Sequence, residues 1–388
     1  MLPRTQASTS VAATVMRWIG AASIAAAVGA WLALVLAYQY EVAWLEDHAV
    51  AFDVLFLAGA AGIALAGSVE RRGIARVGPV ILRLAFSVAV LAGAVFIAER
   101  AAQRLFPAPV AGLGPDVSLN ALGFREREIG PKDPKRYRIV VIGDSLTFGN
   151  GVEEHDRFSN LLEGFLGPQY EVLNFGRPGN NLREHLNQLD TVLKMSPDFV
   201  LLQLYENDFE TPGMMRRRPR TYPLLPSGLD GPMRRASVLY HLLLDQWIHL
   251  QEAAGLAEGY TAFMARHLRD PNSPEAHETS VLLRTFIERA RAAHVSTGGV
   301  FFPALYGLRG GAENYPFDYL NDRVAKIYAD AQMPYLDLLP TFLMVPDPGG
   351  LFVSHFDSHP NAKANRLAAV AILNHFLSVW QSSAHAGR

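Results

Sequence analysis

Residues 138–149 read Arg138-Ile-Val-Val-Ile-Gly-Asp-Ser145-Leu-Thr-Phe-Gly149. A run of branched apolar residues is typical of a strand that is buried on both faces of a sheet. The strand leads directly into Gly143, which permits a sharp turn before Asp144 and Ser145. A helix that starts after this turn would lower the cost of negative charge beside Ser145. The run therefore predicts a buried strand that presents a serine nucleophile at its end. A serine that only caps the helix is the alternative interpretation.

Four further apolar runs, at 171–175, 199–204, 299–302 and 334–338, follow this strand and alternate with helical patterns. The last helix, predicted over 362–380, would bury Leu367, Val370, Ala371, Leu377 and Trp380. Alternation of strand and helix predicts an α/β fold, a flavodoxin-like doubly wound parallel five-stranded sheet with helices on both faces (an α/β/α sandwich). In such a sheet the functional groups lie beyond the carboxyl ends of the strands.

The composition excludes several classes of function. The chain has 388 residues, of which 50% are hydrophobic and 19% charged, and its formal net charge is −2. This length predicts two or three structural units, and the low net charge argues against a nucleic-acid partner. The sequence has no cysteine. This excludes thiolate catalysis, disulfide scaffolds, and zinc or iron–sulfur centres held by cysteine.

Three long apolar runs, at about 18–38, 51–69 and 80–98, occupy the N-terminal part of the chain. Each has close to the number of residues that spans a bilayer. Trp18 and Tyr38 lie at the ends of the first run, as aromatic residues do at membrane interfaces. We therefore predict that residues 1–104 form a membrane anchor with three transmembrane helices. Buried helices of a soluble core are the alternative, and a cleaved signal peptide would explain only the first run.

The placement of arginines predicts the orientation of this anchor. Arg4 and Arg17 precede the first run, and the second connection carries Arg71, Arg72, Arg76 and Arg83, whereas the first connection has four acidic residues and no Lys or Arg. By the positive-inside rule, the tail and the second connection are cytoplasmic. Arg100 and Arg104 follow the third run and oppose this assignment. We expect a multi-pass protein of the inner (cytoplasmic) membrane whose C-terminal domain is extracytoplasmic, or periplasmic in a bacterium with two membranes.

A linker at 105–118 precedes the domain at 119–388, and an insertion at about 210–272 interrupts its strand–helix alternation. Loops of this length are often lids or binding surfaces, so we expect the insertion to cover the strand ends. Its arginines, among them Arg216, Arg217 and Arg218, form either a solvated face or a dock for an anionic glycan or lipid headgroup. We expect the acidic side chains of Glu206, Asp208 and Glu210 to be solvated rather than to bind a metal.

Three more segments place polar residues at strand ends, namely Asn174-Phe-Gly-Arg-Pro-Gly179, Tyr205-Glu-Asn207-Asp and His355-Phe-Asp357-Ser-His359-Pro-Asn361. With the Gly-Asp-Ser turn, they resemble the four sequence blocks of the SGNH (GDSL-type) hydrolase family of esterases and lipases. The resemblance covers about Leu119 to Trp380. The third block departs from the common Gly-x-Asn-Asp form because Tyr205 and Glu206 precede Asn207, which changes the pocket wall. The step from Asp357 to His359 is one residue shorter than in the best-known members.

The resemblance implies a role for each block. Ser145 would be the nucleophile, His359 the general base and Asp357 the residue that orients the imidazole. The oxyanion would meet the backbone N–H groups of Ser145 and Gly179 and the side-chain amide of Asn207. His355 is an alternative base. The remaining candidates for substrate binding are Asp144, Tyr205, Arg216, Arg217 and Arg218. We expect no metal and no other cofactor.

The resemblance therefore predicts a membrane-anchored serine esterase. Anchored members often act on acyl groups of cell-surface polysaccharides, so an O-acetyl ester of a carbohydrate is the first expected substrate. A lipid ester is the second. An O-acetyltransferase would use the same triad and pass the acyl group to a sugar hydroxyl instead of water. A non-catalytic domain that only binds glycan is the alternative from a different class.

Overall fold

The computed structural model of the chain describes residues 77–105, 117–218, 221–354 and 357–386, together with five residues between 14 and 22. The predicted membrane runs at about 18–38 and 51–69 lie largely outside these residues, as do His355 and most of the linker. The chain divides into two compact units. One unit comprises Ala111–Arg220 and Glu252–Arg388, and the other comprises Met1–Val110 and Thr221–Gln251.

The first unit contains the sheet. Its strands are β1 Tyr137–Gly143, β2 Tyr170–Gly176, β3 Phe199–Leu204, β4 Ser296–Phe301 and β5 Tyr335–Asp337. They form one parallel sheet in the order β2-β1-β3-β4-β5. This order confirms the predicted flavodoxin-like sheet, and each strand overlaps its predicted run. Strand β1 has a neighbour on both sides and is buried along its whole length.

Helices connect the strands. In chain order they are α1 Val77–Leu105, α2 Ser145–Phe148, α3 Phe158–Leu166, α4 Leu182–Leu193, α5 Pro212–Met215, α6 Ser227–Ala236, α7 Val238–Ala253, α8 Tyr260–Leu268, α9 Pro274–Ala292, α10 Asp318–Asp330, α11 Leu339–Leu343 and α12 Ala362–Ala386. A short antiparallel pair, β6 Phe352–Ser354 and β7 Asp357–Pro360, precedes α12.

Two adjacent glycines in β4 show that helices cover both faces of the sheet. A Cβ atom at Gly298 would collide with Phe376 of α12, and one at Gly299 would collide with Tyr328 of α10. Because successive residues of a strand point to opposite faces, α12 and α10 lie on opposite sides. On the α12 side, Phe199 packs edge-on against Phe376 and Trp380, each with a ring-centroid distance of 5.9 Å.

The prediction of which residues form the buried face of the last helix was partly wrong. Trp380 is fully buried, but Val370 is 42% exposed. The residues that face the sheet are Ala364, Ala368, Ile372 and Phe376, which follow one another at the spacing of a helix face and are all fully buried. The small alanines near the start of α12 allow this helix to approach the sheet closely. With these residues facing the sheet, the helical period directs Val370 outward.

The second unit joins α1 to the middle of the predicted insertion. The carboxylate of Glu99 in α1 accepts hydrogen bonds from Ser237 Oγ at 2.7 Å, from the Val238 N–H at 3.0 Å and from the Leu239 N–H at 3.1 Å. These N–H groups belong to the first turn of α7, where a helix has no internal acceptors. Residues 221–251 are therefore attached to the helix that contains the third apolar run.

The third apolar run, at about 80–98, coincides with part of α1. A search of the residues that the structure describes finds no helix that is long and apolar enough to cross a membrane.

The end of β2 has no room for a side chain, and this yields a first prediction. A Cβ atom at Gly176 would collide with the backbone of Thr147 and Phe148 in α2. Because a backbone cannot rotate away, Gly176→Ala should destabilise the protein by about 1–3 kcal/mol, measured by urea denaturation. Gly164→Ala is the matched control. Gly164 lies in α3 with no atom near its Cβ position, so alanine should be neutral or stabilise by up to about 1 kcal/mol. An equal effect of the two substitutions would contradict this packing.

Candidate active site

The carboxyl ends of β1, β2 and β3 and the segment before α12 meet at one cleft of about 380 Å³. Every sequence block contributes to its lining, which consists of Ser145, Leu146, Asn150, Pro178, Gly179, Tyr205, Asn207, Ser358 and His359. All these residues belong to the unit that contains the sheet. The cleft lies where a doubly wound sheet is expected to place its functional groups.

Ser145, His359 and Asp357 form a row of hydrogen bonds. Ser145 Oγ lies 2.9 Å from His359 Nε2, and His359 Nδ1 lies 2.5 Å from Asp357 Oδ1. The same Asp357 oxygen also accepts the His359 backbone N–H at 3.0 Å. The second bond holds the carboxylate in place despite the short step between the two residues. A row of this kind can take a proton from a serine hydroxyl and stabilise the resulting imidazolium.

The surroundings of the row shift the pKa values of its acid and base. Burial by itself lowers the pKa of His359, but the hydrogen bond and charge of Asp357, together with the charge of Asp144, raise it above its ordinary 6.5. Burial raises the pKa of Asp357, but the hydrogen bonds and charge of His359 outweigh this effect, so the net pKa falls below its ordinary value. Asp357 therefore stays ionised, and the imidazole is a stronger base than a free histidine.

Hydrogen bonds from buried residues hold the turn that carries Ser145. Asp144 is fully buried and caps α2, because its carboxylate accepts the Leu146 N–H at 2.9 Å. From β3, Gln203 Oε1 accepts hydrogen bonds from the Asp144 N–H at 3.2 Å and from Thr147 Oγ1 at 2.7 Å. From β2, Asn174 Nδ2 donates to the Thr147 carbonyl at 2.5 Å. The strands on both sides of β1 thus fix the position of the serine.

The predicted oxyanion donors face the same cleft. Gly179 has a φ of 78°, in the left-handed region that glycine adopts without strain. No atom lies within 4 Å of the position that a Cβ would take there, so the backbone angle, and not crowding, favours glycine. Asn207 lies in the 3₁₀ turn after β3, with its amide Oδ1 buried. The cleft can therefore offer backbone and amide N–H groups next to Ser145.

Comparison with known proteins identifies the family. The sequence profile of the GDSL-like Lipase/Acylhydrolase family matches residues 141–367, which is more than half of the chain. The chain belongs to this family. It is therefore an ester hydrolase. No curated protein matches the chain as a sequence relative.

Several solved structures resemble this esterase, each with a TM-score of 0.39. The structure of TesA is 16% identical, and the match covers 62% of this chain and 99% of TesA. A member of the lipolytic protein G-D-S-L family from Veillonella parvula is 13% identical, with coverages of 62% and 98%. A catalytic mutant of Axe2, an acetylxylan esterase from Geobacillus stearothermophilus, is 16% identical, with coverages of 62% and 93%.

The other residues that were predicted to bind substrate occupy different environments in this esterase. Tyr205 lines the cleft, whereas Asp144 is buried beneath it. The arginines of the insertion are not among the lining residues. Arg217 pairs with Glu275, and Arg218 stacks over the rings of Tyr260 and Phe263. These two arginines have partners within the protein, and the side chain of Arg217 is also exposed to solvent.

The expectation of a solvated acidic cluster was wrong for Glu206 and Asp208. Glu206 and Asp208 are only 2% and 1% exposed, because the 3₁₀ turn after β3 directs both side chains inward. Asp208 lies 2.7 Å from Nε2 of the buried His185 and accepts the Tyr205 N–H at 2.6 Å. Burial, followed by the nearby charge of Asp208, raises the pKa of Asp144. Within the described part of the chain, no group of histidine and acidic residues has an arrangement that could hold a metal.

The sequence interpretation missed four residues that shape the site. Asn174 and Gln203 hold the serine turn, His185 supports the loop that carries Asn207, and Asn150 lines the cleft. Asn174 and Gln203 are polar residues within buried strands, and such residues need hydrogen-bond partners. That signal was available in the sequence. His185 lies in an amphipathic helix, where its position alone indicated no partner.

The raised pKa of His359 predicts a shift in the pH profile. Only neutral His359 accepts the serine proton, so kcat/KM should fall as the pH drops through a value above 6.5. Asp357→Asn removes the charge that raises this pKa, so its acid limb should move to lower pH, with kcat reduced by about 10³–10⁴. Rates with p-nitrophenyl acetate from pH 5 to 9 measure both effects. The exposed Asp347→Asn is the control and should keep the wild-type profile. An unmoved acid limb in Asp357→Asn would show that Asp357 does not control His359.

Proposed function

We propose that this esterase is anchored to a membrane, faces the extracytoplasmic side and removes acyl groups, chiefly O-acetyl groups, from a cell-surface carbohydrate. The observation that carries the catalytic part is the hydrogen-bonded row from Ser145 through His359 to Asp357 in a cleft that also holds Gly179 and Asn207. The location rests on the apolar runs and arginines of the N-terminal sequence.

In the proposed mechanism, Ser145 Oγ attacks the ester carbonyl while His359 Nε2 takes its proton. The negative charge that develops on the carbonyl oxygen is stabilised by the N–H groups of Ser145 and Gly179 and by the Asn207 amide. His359 then returns the proton to the leaving alcohol as the carbon–oxygen bond breaks. A water molecule loses a proton to His359, attacks the acyl-serine and releases the carboxylic acid, which restores Ser145.

The lining of the cleft favours a short acyl group on a polar alcohol. Only Leu146, Pro178 and Tyr205 offer large apolar surfaces, whereas Asn150 and Ser358 are polar. A long acyl chain needs an extended apolar channel to offset its ordering and desolvation. The volume of about 380 Å³ lies near the lower end of the usual range for ligand pockets. These features support an acetyl ester of a hydroxyl-rich molecule over a lipid ester.

Removal of the Ser145 hydroxyl tests the catalytic proposal. Ser145→Ala should abolish labelling by a fluorophosphonate probe and cleavage of p-nitrophenyl acetate, because no other group in the row can form the acyl-enzyme. Its thermal unfolding should change little, since the hydroxyl supports little packing. Ser383→Ala removes a serine hydroxyl from α12, far along the chain, and should leave labelling intact. Persistent labelling of Ser145→Ala would place the nucleophile elsewhere.

The described part of α1 supports an attachment to lipid. Large apolar side chains of α1 are exposed, among them Phe86, Leu91 and Ile97 at 69%, 65% and 69%. Exposed apolar surface of this extent is typical of segments that contact a membrane or another protein. Under the positive-inside rule, the arginines of the tail and of the second connection support a location of the C-terminal domain outside the cytoplasm.

Reporter fusions test this location. A reporter that functions only outside the cytoplasm should be active when fused after Arg388 and inactive when fused after Arg72, because the arginines retain the second connection inside. Replacement of Arg71, Arg72 and Arg76 by glutamine should weaken this difference. A cytoplasmic signal from the C-terminal fusion would refute the proposed location and leave the esterase proposal unaffected.

A further inference from the structure

Tyr205 stands where the family's third block commonly has the glycine of Gly-x-Asn-Asp, and the structure places it at the wall of the cleft. Tyr205 lies between β3 and the 3₁₀ turn that carries Asn207, and its side chain lines the cleft. Glu206 lies behind this wall and is only 2% exposed. A bulky ring at this position reduces the space beside Ser145.

Glu206 connects this wall to the loop after β4. Its Oε1 accepts a hydrogen bond from the Tyr306 hydroxyl at 3.1 Å. Glu206 directly follows Tyr205, and the Tyr205 backbone N–H donates to Asp208 Oδ2 of the same turn at 2.6 Å. The hydrogen bond from Tyr306 therefore joins the turn that carries Tyr205 to a different strand end. Such a bridge restricts the turn, because a movement of Glu206 would leave its buried carboxyl group without this partner.

Aromatic packing holds the far end of this bridge. The ring of Tyr306 packs edge-on against Phe317 at a centroid distance of 6.2 Å, and Tyr315 and Tyr260 pack on the same ring at 6.1 and 6.3 Å. The Tyr315 hydroxyl accepts the Ala304 N–H at 2.8 Å, just before the turn that carries Tyr306. Tyr306 is thus part of a packed cluster, and Tyr205 is attached to a rigid support.

Burial raises the pKa of Glu206 well above its ordinary value. It therefore favours the protonated carboxyl group. A protonated carboxyl group can accept one hydrogen bond and donate another, as a glutamine amide can.

We propose that Tyr205, held in place by Glu206 and Tyr306, limits the acyl group of the substrate to short chains. Tyr205 is the residue that determines specificity, and Glu206 and Tyr306 are positioning residues that act through it. This inference rests on the proposed function, because it concerns the acyl group of the ester that Ser145 attacks. It deepens that proposal by assigning the preference for acetyl esters to one side chain and its support.

Acyl-chain selectivity of the full-length protein tests the inference. p-Nitrophenyl acetate, butyrate and hexanoate share one leaving group, so the ratio of their kcat/KM values reports the acyl side alone. The wild type should prefer acetate to hexanoate by about 10–100-fold. Tyr205→Gly should reduce this ratio to near one by raising the hexanoate rate. Tyr205→Phe, which retains the ring, should keep a ratio close to that of the wild type.

The positioning residues need a matched pair of variants. Glu206→Gln retains hydrogen-bonding groups and should keep the wild-type ratio, whereas Glu206→Leu has similar volume without these groups and should lower it. Tyr306→Phe should lower the ratio in the same direction and provides a second test if Glu206→Leu does not fold. A loss of stability alone would reduce the rates for all three esters equally. The ratio therefore separates positioning from general destabilisation.

Two sets of results overturn the inference. A wild type with equal rates on acetate and hexanoate, or a Tyr205→Gly variant with an unchanged ratio, refutes it while Ser145 labelling and acetate cleavage still support the proposed esterase. A Tyr205→Gly variant that changes selectivity only among acetate esters of different alcohols also refutes it, since the wall would then face the alcohol. A wild type without fluorophosphonate labelling refutes the proposed function and the inference together.

Discussion

The buried turn between β1 and α2 is the constraint on which the site depends. Ser145 follows β1 directly, so its position is fixed by whatever fixes this turn. Asp144 caps α2 from within, and Gln203 and Asn174 tie the turn to the strands on either side. Gly176 lets the backbone of α2 approach β2 without a Cβ between them. The strand order β2-β1-β3 makes this possible, because β1 is an interior strand with two neighbours that can supply such bonds, whereas an edge strand has only one.

Burial on the inner side of this turn sets the electrostatics of the cleft. Asp144, Glu206 and Asp208 lie together beneath the lining, away from water, and burial raises the pKa of each carboxyl group. Asp357 has the opposite shift, because it pairs directly with His359. The pairing with His359 therefore favours the ionised form of the carboxylate that orients the base, while burial favours the protonated form of the other carboxyl groups.

The strands and the four blocks of the site were predictable because both signals are local. A buried parallel strand needs a short run of branched apolar residues, and Gly143-Asp144-Ser145 follows such a run directly. The positions of Asn174 and Gln203 within strands also indicated buried polar groups with partners. The buried face of α12 was less predictable, since whether Val370 or Ile372 faces the sheet depends on how close the helix lies. The inward direction of Glu206 and Asp208 depends on a 3₁₀ turn that the surrounding sequence does not specify.

By itself, the sequence determined the class of fold, the order of the blocks and the identity of the candidate nucleophile, base and orienting acid, because each depends on residue type and spacing along the chain. Only the tertiary structure decided which acidic residues are buried, which arginines have partners and how Tyr205 is supported. It also showed that residues 221–251 associate with α1 through Glu99. These features depend on contacts between residues far apart in sequence, and local pattern carries no information about which distant group a side chain will meet.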